Sequence, residues 1–200
     1  MSFVIYHRYS NCFISLIGNM KMELQGLTQI FYGTGKGMTT SALGTALRAL
    51  DFGHKVHLVQ FMKNGAESLP SELPGEINSL ARFENFSYKR FGLGVWVTSS
   101  NKHEHQEEVD RTFEYLKEVL SKEYDIIIAD EILYAVQLGL LDEEKVIELI
   151  KSKPAGKELI LTGSHAAFPR IFELVDLVTE VRKVKHPYDK GIKARKGIEY

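Results

Sequence analysis

Short apolar runs of strand length alternate along this chain with longer segments whose apolar residues recur at helical spacing. The short runs predict six strands, which we place at 27–32, at 55–61, within 81–96, at 125–129, at 159–162 and at 177–184. Helical spacing and terminal residues predict helices at 39–50, 103–122, 142–151 and 169–174. This alternation, without an internal repeat, predicts one α/β domain with a mostly parallel sheet and helices on both faces.

Three segments add detail to this outline. The apolar run at 125–129 (DIIIA) is unbroken, as expected for a strand buried on both faces. Residues 64–80 are rich in Gly, Ser, Pro and Glu and predict a surface loop, with closure over a ligand as the alternative. The predicted strand within 81–96 runs into a loop that contains aromatic residues and glycines.

Composition narrows the class of protein. Lys and Arg number 25 against 26 Asp and Glu, for a formal net charge of −1. We therefore expect neither nucleic acid nor a membrane surface as a partner. The single cysteine, Cys12, excludes an intramolecular disulfide and a multi-cysteine zinc site and suits the cytoplasm. Charge is nevertheless uneven, because residues 181–200 contain seven basic and two acidic side chains.

The N-terminal residues differ from the rest of the chain. Residues 1–25 contain a short apolar stretch but no secretory signal pattern, and no apolar run reaches the roughly 18 residues of a membrane-spanning helix. Met20 and Met22 lie just before the first predicted strand. We expect a domain at 26–200, preceded at 1–25 by an arm or by a mis-assigned start.

Between the first predicted strand and helix, the chain reads GTGKGMTT. Three glycines in five positions allow N–H groups to turn inward, and the following helix adds its positive end. The candidate phosphate-binding residues are Gly33, Thr34, Gly35, Lys36, Gly37, Met38, Thr39 and Thr40. The pattern departs from GxxxxGK[ST], because Met38 stands at the lysine position. A glycine-rich turn into a helix is the alternative interpretation.

An acidic pair follows the apolar run DIIIA. The carboxyl edge of a buried strand lies beside the phosphate loop in an open α/β sheet. Asp130 and Glu131 are therefore candidates to hold Mg²⁺ together with Thr39. A helix cap or a solvated turn is the alternative interpretation of the pair.

Several motifs together resemble one family. They are GTGKGMTT, VQFMK, ADEILYAVQLGLLD, LILTG, ELVDLVTEV and the ending VKHPYDKGIKARKGIEY. In this order they look like the ATP:cob(I)alamin, or corrinoid, adenosyltransferases of the CobA/BtuR type, over about residues 26–200. A phosphate loop alone is not specific, whereas the DE-x-x-Y-A segment and the C-terminal motif make the resemblance strong.

The resemblance implies a RecA-like P-loop fold and an enzyme that transfers the 5′-deoxyadenosyl group of ATP to the Co(I) of a corrinoid, with Mg²⁺ as cofactor and triphosphate leaving. It also implies a cytoplasmic homodimer that takes part in cobalamin biosynthesis or salvage, with a flavoprotein as electron donor. Co(I) is already a strong nucleophile, so positioning and stabilisation of the leaving group suffice. No residue is accordingly assigned as a catalytic acid or base.

The loop FGLGVWVT corresponds to the family segment whose aromatic pair packs against the corrin. The residues predicted to contact the corrinoid are Phe91, Val95 and Trp96. Trp96 matches one of the aromatic residues, and Val95 replaces the other, for which Phe91 is a possible substitute. Without the resemblance, Trp96 would be interpreted as an ordinary hydrophobic anchor.

Three departures from the family pattern bear on activity. Met38 replaces the loop lysine, Ser164 stands where the family often carries an arginine, and the aromatic loop is altered at Val95. Lys193, Arg195 or Lys196 in the basic ending offset this loss if they lie near anionic groups, the alternative being that they are simply solvated. Three hypotheses stay open: a working transferase, a relative that binds ATP or corrinoid without transferring, and a different P-loop enzyme.

Overall fold

The computed structural model of the chain describes residues 24–63 and 73–199. Its strands are β1 (Thr28–Tyr32), β2 (Val56–Gln60), β3 (Phe86–Arg90), β4 (Ile126–Asp130), β5 (Glu158–Thr162) and β6 (Leu177–Glu180). Its helices are α1 (Met38–Asp51), α2 (Gly75–Leu80), α3 (Lys102–Ser121), α4 (Ile132–Gln137), α5 (Glu143–Ser152) and α6 (Pro169–Phe172), and a 3₁₀ turn follows at Pro187–Lys190.

The six strands form one sheet in the order β3-β2-β4-β5-β1-β6, and every neighbouring pair is parallel. In the register, Ile30 of β1 lies opposite Leu161 of β5 on one side and Val178 of β6 on the other. Because all strands run the same way, their carboxyl ends share one edge of the sheet. Only β5 separates β1, which leads into the phosphate loop, from β4, which carries Asp130.

Successive side chains of each strand alternate between two cores, as a pleated strand requires. On β4, Ile127 and Ala129 pack with α3, α4, α5 and α6, whereas Ile126 and Ile128 pack with α1 and α2. The unbroken apolar run of this strand is therefore explained by burial on both faces. The predicted α/β class, with a parallel sheet and helices packed on both of its faces, is confirmed.

The structure departs from the sequence prediction at three places. The predicted loop at 64–80 is wrong for its last residues, which form α2 because Ile77 and Leu80 are buried; residues 64–72 lie outside the described residues. Helix α4 was not predicted, because its continuous apolar sequence has no helical period. Strand β6 ends at Glu180 rather than at residue 184, since its partner β1 ends at Tyr32.

Two further expectations concern the N-terminal segment and membrane-spanning helices. The N-terminal arm or mis-assigned start, and Cys12 within it, fall almost wholly on residues 1–23, outside the described residues. Within residues 24–63 and 73–199, no helix has the length and apolar character needed to cross a membrane.

Candidate active site

Backbone strain is concentrated at the carboxyl edge of the sheet. In the described part of the chain, Met62, Glu131 and Ser164 are the non-glycine residues with positive φ, at 54°, 65° and 69°. They follow the ends of β2, β4 and β5, which are neighbours in the sheet. Each such residue costs on the order of 1–3 kcal/mol and persists where the surroundings impose it, commonly at functional sites. The strain therefore marks the same edge that the sequence motifs predict.

Two of the loop glycines are required by close backbone contact with the segment after β6. Gly33 has φ 127°, and a Cβ on it would lie 2.3 Å from the Val181 carbonyl oxygen. The Gly33 amide donates to the carbonyl of Ser164 at 2.9 Å, and the Gly35 amide donates to that of Val181 at 2.7 Å. These two amides hold the loop against the protein, so they are not available to a ligand.

The second half of the loop leads into the amino end of α1. Gly37 has φ 124°, and its carbonyl accepts the first helical bond, from the Ser41 amide at 2.8 Å. Within the described ranges, the amides from Lys36 to Thr40 have no backbone acceptor outside the helix. Free N–H groups at the start of a helix, together with the helix dipole, favour an anion. This half of the loop is the candidate phosphate site.

Asp130 joins the phosphate loop to the sheet. Its carboxylate is fully buried, and Oδ1 accepts hydrogen bonds from Thr39 Oγ1 at 2.8 Å and Thr162 Oγ1 at 2.6 Å. Oδ2 accepts a hydrogen bond from Gln60 Nε2 at 2.9 Å. Three donors from three elements satisfy the buried charge. The structure therefore brings together two of the three predicted metal-site residues, Thr39 and Asp130.

Glu131, the third predicted metal-site residue, lies next to this cluster but faces a lysine. Its Oε1 is 2.8 Å from Lys63 Nζ, at the end of β2. Burial acts to lower the pKa of Lys63, but the carboxylates of Glu131 and Asp130 outweigh it and raise that pKa. Lys63 is therefore a cation at neutral pH.

The oxygen donors at this edge fit Mg²⁺. Mg²⁺ prefers hard oxygen ligands and is usually held by one or two carboxylates plus substrate phosphates and water. The part of the chain that the structure describes has no group of three or more His, Cys, Asp or Glu arranged to hold a metal. Gln60 Oε1 is buried and has no hydrogen-bond partner among the described residues, and a metal-bound water would satisfy it.

Sequence reasoning missed Gln60, Lys63 and Thr162 as site residues. Gln60 and Lys63 lie within the motif VQFMK, at the end of β2, and Thr162 ends β5. Their position at strand ends was an available signal, since carboxyl ends of parallel strands meet at one edge. Which strands are neighbours was not available from the sequence.

Neither Met38 nor Ser164, which replace basic residues of the family pattern, places a cation at the loop. The Met38 side chain is half-buried and packs against the core beneath α1. The Ser164 side chain is buried, and its hydroxyl donates to the Ala166 carbonyl at 2.6 Å and accepts from the Ala166 amide at 2.9 Å. Both side chains serve local packing and turn geometry.

The C-terminal tail, residues 181–199, folds back over the phosphate loop. The Lys183 amide lies 3.4 Å from Thr34 Oγ1, and Lys36 Nζ lies 3.5 Å from Glu199 Oε1. Arg195 binds the same Glu199 carboxylate, with Nη2 at 3.0 Å from Oε1. Of the three basic residues that the sequence singled out in the ending, Arg195 is thus linked through Glu199 to the loop lysine.

The predicted corrinoid loop also leaves the sheet at this edge, after β3. Val95 and Trp96 are exposed, Trp96 at 77%, so Trp96 does not serve as an anchor in the core. Phe91 instead packs inward, its ring centroid 5.4 Å from that of Tyr115. Among the described residues no ring contact joins Phe91 to Trp96, so the structure does not pair them.

Comparison with known proteins agrees with these motifs. The family model described as "ATP:corrinoid adenosyltransferase BtuR/CobO/CobP" matches residues 24–200. The corrinoid adenosyltransferase of Escherichia coli K12 is 32% identical over 177 residues, covering 88% of this chain and 86% of that protein. Corrinoid adenosyltransferase CobA of Salmonella typhimurium LT2 is 31% identical, covering 89% and 87% of the two chains. That of Pseudomonas aeruginosa PAO1 is 32% identical, covering 88% and 84%.

Among solved structures, EssC (ATPases 2 and 3) from Geobacillus thermodenitrificans matches 86% of this chain and 35% of that chain, with a TM-score of 0.43 and 13% identity. A similarity this low carries no conclusion about fold or function. The family model and the relatives, in contrast, extend over most of the chain. The residues that the family model matches include both the phosphate loop and the C-terminal motif. This chain belongs to the ATP:corrinoid adenosyltransferase family BtuR/CobO/CobP.

Proposed function

We propose that this protein transfers the 5′-deoxyadenosyl group of Mg-ATP to the Co(I) of a reduced corrinoid, releasing triphosphate, in cobalamin biosynthesis or salvage. The observation that carries the proposal is the Thr39–Asp130 hydrogen bond, which ties the loop to the buried acidic strand end at 2.8 Å. A mere glycine-rich turn would not need a buried carboxylate behind it. Relatives over most of the chain are named corrinoid adenosyltransferases.

At the ATP end, the protein provides amides, cations and oxygen ligands. The amides from Lys36 to Thr40 and the dipole of α1 bind the triphosphate oxygens, and Lys36 and Lys63 supply cations at the same edge of the sheet. Thr39 and Asp130 would hold Mg²⁺, with Glu131 beside them. When bound, Mg²⁺ would neutralise the negative charge that develops on the leaving triphosphate.

At the corrinoid end, two exposed apolar side chains leave the same sheet edge. Val95 is 46% exposed and Trp96 is 77% exposed, whereas hydrophobic side chains that anchor a loop in the core are buried. An exposed tryptophan on a loop that leaves the same edge of the sheet as the phosphate loop suits contact with a large planar ligand. The loop is held in place by Asn101, whose Nδ2 donates to the Trp96 carbonyl at 3.0 Å.

The chemistry needs no proton transfer by the protein. The cobalt electron pair forms the new Co–C5′ bond, the C5′–O bond breaks, and its electrons leave on the triphosphate oxygen, so Co(I) becomes Co(III). The protein's part is to align C5′ with cobalt and to stabilise the leaving oxygen. The proposal therefore assigns no general acid or base. A homodimer and a flavoprotein that reduces the corrinoid complete the proposal, and they rest on the family resemblance.

One spectroscopic experiment tests the proposal. Protein, Mg-ATP and chemically reduced corrinoid are mixed, and formation of the Co–C bond is followed by absorbance. We expect each protein molecule to catalyse formation of the Co–C bond repeatedly, until the limiting substrate is consumed. Intact binding of both substrates without a Co–C bond would instead show a relative that binds without transferring, and release of nucleoside diphosphate would show a different P-loop enzyme.

Met38→Lys tests whether the loop lacks a useful cation. A lysine here would add a charge-assisted contact to triphosphate, so we expect ATP affinity to rise about tenfold. The measurement is isothermal titration with ATP, and Met38→Leu is the matched control, because it keeps the apolar packing without the charge. Equal affinity of the lysine and leucine variants would show that position 38 does not reach the phosphates.

A further inference from the structure

Two cations and one carboxylate form a row beside the phosphate loop. Lys36 Nζ lies 3.5 Å from Glu199 Oε1 and donates to the Ile198 carbonyl at 3.2 Å. On the other side, Arg195 donates to the same carboxylate from its backbone amide at 2.8 Å, from Nε at 3.1 Å and from Nη2 at 3.0 Å. The central anion of the row belongs to the C-terminal tail.

The row lies where phosphate binding would need cations. Lys36 is the middle residue of the loop, and the amides that follow it, up to Thr40, have no backbone acceptor outside α1 among the described residues. A lysine next to inward-facing N–H groups is suited to phosphate oxygens. Glu199 offers Lys36 a pair of anionic oxygens of the same kind.

We propose that Glu199 is an internal anion that competes with the triphosphate of ATP for Lys36 and Arg195, and that Arg195 binds triphosphate once Glu199 is displaced. This inference rests on the proposed function, because it concerns the phosphate end of the same site. Arg195 then supplies, from the tail, a cation that Met38 and Ser164 do not supply from the loop and from the end of β5.

Charge and shape both favour the exchange of partners. Glu199 contributes one negative charge, whereas triphosphate contributes several. The electrostatic attraction of Lys36 to triphosphate is therefore stronger than its attraction to Glu199. The planar guanidinium of Arg195 matches phosphate as well as carboxylate, which preserves its paired hydrogen bonds. Both cations are partly exposed, with 46% of the Lys36 side chain and 57% of the Arg195 side chain accessible, so a ligand reaches them from solvent.

Glu199 competes as a full charge at neutral pH. Hydrogen bonds from the side chain and backbone of Arg195, with the nearby charge of Lys36, lower its pKa to about 2. A carboxylate with a depressed pKa keeps its ion pairs above the unfolded pKa and loses them only as the pH falls through the folded value. The charge that Glu199 contributes to the competition is therefore constant across the neutral range.

The experiment measures binding of inorganic triphosphate to the full chain by isothermal titration. The variants are Glu199→Gln, Arg195→Gln and the double variant. Glutamine at 199 retains an oxygen that accepts from the Arg195 amide, so the tail keeps part of its attachment. Asp189→Asn is the matched control, because it removes one negative charge from the same tail, where Asp189 pairs with Lys183 at 3.0 Å.

We expect Glu199→Gln to bind triphosphate about fivefold more tightly than the parent. Adding Arg195→Gln to that variant should weaken binding about tenfold, and Asp189→Asn should leave it nearly unchanged. Weaker or unchanged binding of triphosphate by Glu199→Gln would overturn the inference. It would show that Glu199 only attaches the tail to the loop. Equal tightening by Asp189→Asn would also overturn it, since net charge would then explain the effect.

Adenosyl transfer, measured on the same preparations, separates this inference from the proposed function. Binding that follows the expected order in a protein that forms no Co–C bond supports the inference and contradicts the proposed function. Transfer by a protein whose triphosphate affinity is unaffected by Glu199→Gln contradicts the inference alone.

Discussion

Two carboxylates at the same edge of the sheet each accept three hydrogen bonds of ordinary length, yet they are held in different ways. Asp130 is fully buried, and its donors come from α1, β2 and β5. Glu199 lies in the C-terminal tail, and its three donors all belong to Arg195, four residues away. The count of bonds is the same, but only Asp130 ties separate elements of the fold together.

This difference predicts what each carboxylate is for. A buried carboxylate with donors from three elements fixes their relative positions, and losing it leaves buried donors without a partner. A carboxylate held mainly by its own segment moves with that segment, and solvent replaces it at little cost. We therefore expect Asp130 to be needed for both stability and transfer, and Glu199 to adjust ligand affinity alone.

The largest effect is expected for Asp130→Asn. An amide in place of the carboxylate faces the hydroxyls of Thr39 and Thr162 and removes the charge that would hold Mg²⁺. We expect adenosyl transfer to fall on the order of 100-fold or more and the free energy of unfolding to fall by about 1–3 kcal/mol. Rate assays and urea unfolding measure the two losses.

The control for that change is Asp142→Asn. Asp142 is exposed at the start of α5, and within the described part of the chain its side chain makes no capping hydrogen bond. This variant makes the same chemical change outside the site, so both rate and stability should stay close to the parent values. A comparable loss of rate and stability in the two variants would show that Asp130 is no more important than an exposed aspartate.

A second prediction concerns the contact between the loop and the tail. Gly33 and Gly37 both have positive φ, but a Cβ on Gly33 would collide with the Val181 carbonyl. Among the described residues, and apart from its two chain neighbours, a Cβ on Gly37 would meet no atom within 4 Å. We expect Gly33→Ala to lower the free energy of unfolding by about 1–3 kcal/mol more than Gly37→Ala does. Urea unfolding of both variants measures the difference, and equal losses would contradict the close contact.

A third and smaller effect is expected for Trp96→Ala. Because Trp96 is 77% exposed, its removal should leave the free energy of unfolding unchanged while corrinoid affinity falls about tenfold. Titration with a corrinoid and, separately, with ATP measures the two affinities. A loss of stability, or an equal loss of ATP affinity, would show that Trp96 supports the fold and is not specific to corrinoid.

The smallest effect on stability is expected for Glu199→Gln. Its donors belong mainly to its own segment, so unfolding by urea should be indistinguishable from that of the parent. A clear loss of stability would remove the contrast with Asp130, because the tail carboxylate would then also hold the fold together.

The contrast also shows what the sequence can predict. Asp130 was predicted, because an apolar run followed by an acidic residue already locates the end of a buried strand. Gln60 and Thr162 were not, since their contact with Asp130 depends on β2 and β5 flanking β4, and no single segment encodes strand order. Phe91 was proposed as a second corrin-facing aromatic, yet it packs on Tyr115 of α3, a neighbour that only the fold reveals.

The ion pair between Lys36 and Glu199 could not be predicted from the sequence either. The motif at the C-terminus predicted the family, and its basic residues suggested nearby anions. That the tail places its own carboxylate against the loop follows from β6 lying beside β1, with Val181 accepting from the Gly35 amide. Local patterns locate residues along the chain, and the order of strands decides which of them meet.

The most direct test of the central claim is phosphorus NMR of the phosphate product during a reaction with Mg-ATP and a reduced corrinoid, calibrated against the Co–C bond measured by absorbance. We predict one triphosphate released for each Co–C bond formed. Diphosphate as the product, or no phosphate product although ATP and corrinoid both bind, would contradict the assignment of this site to adenosyl transfer.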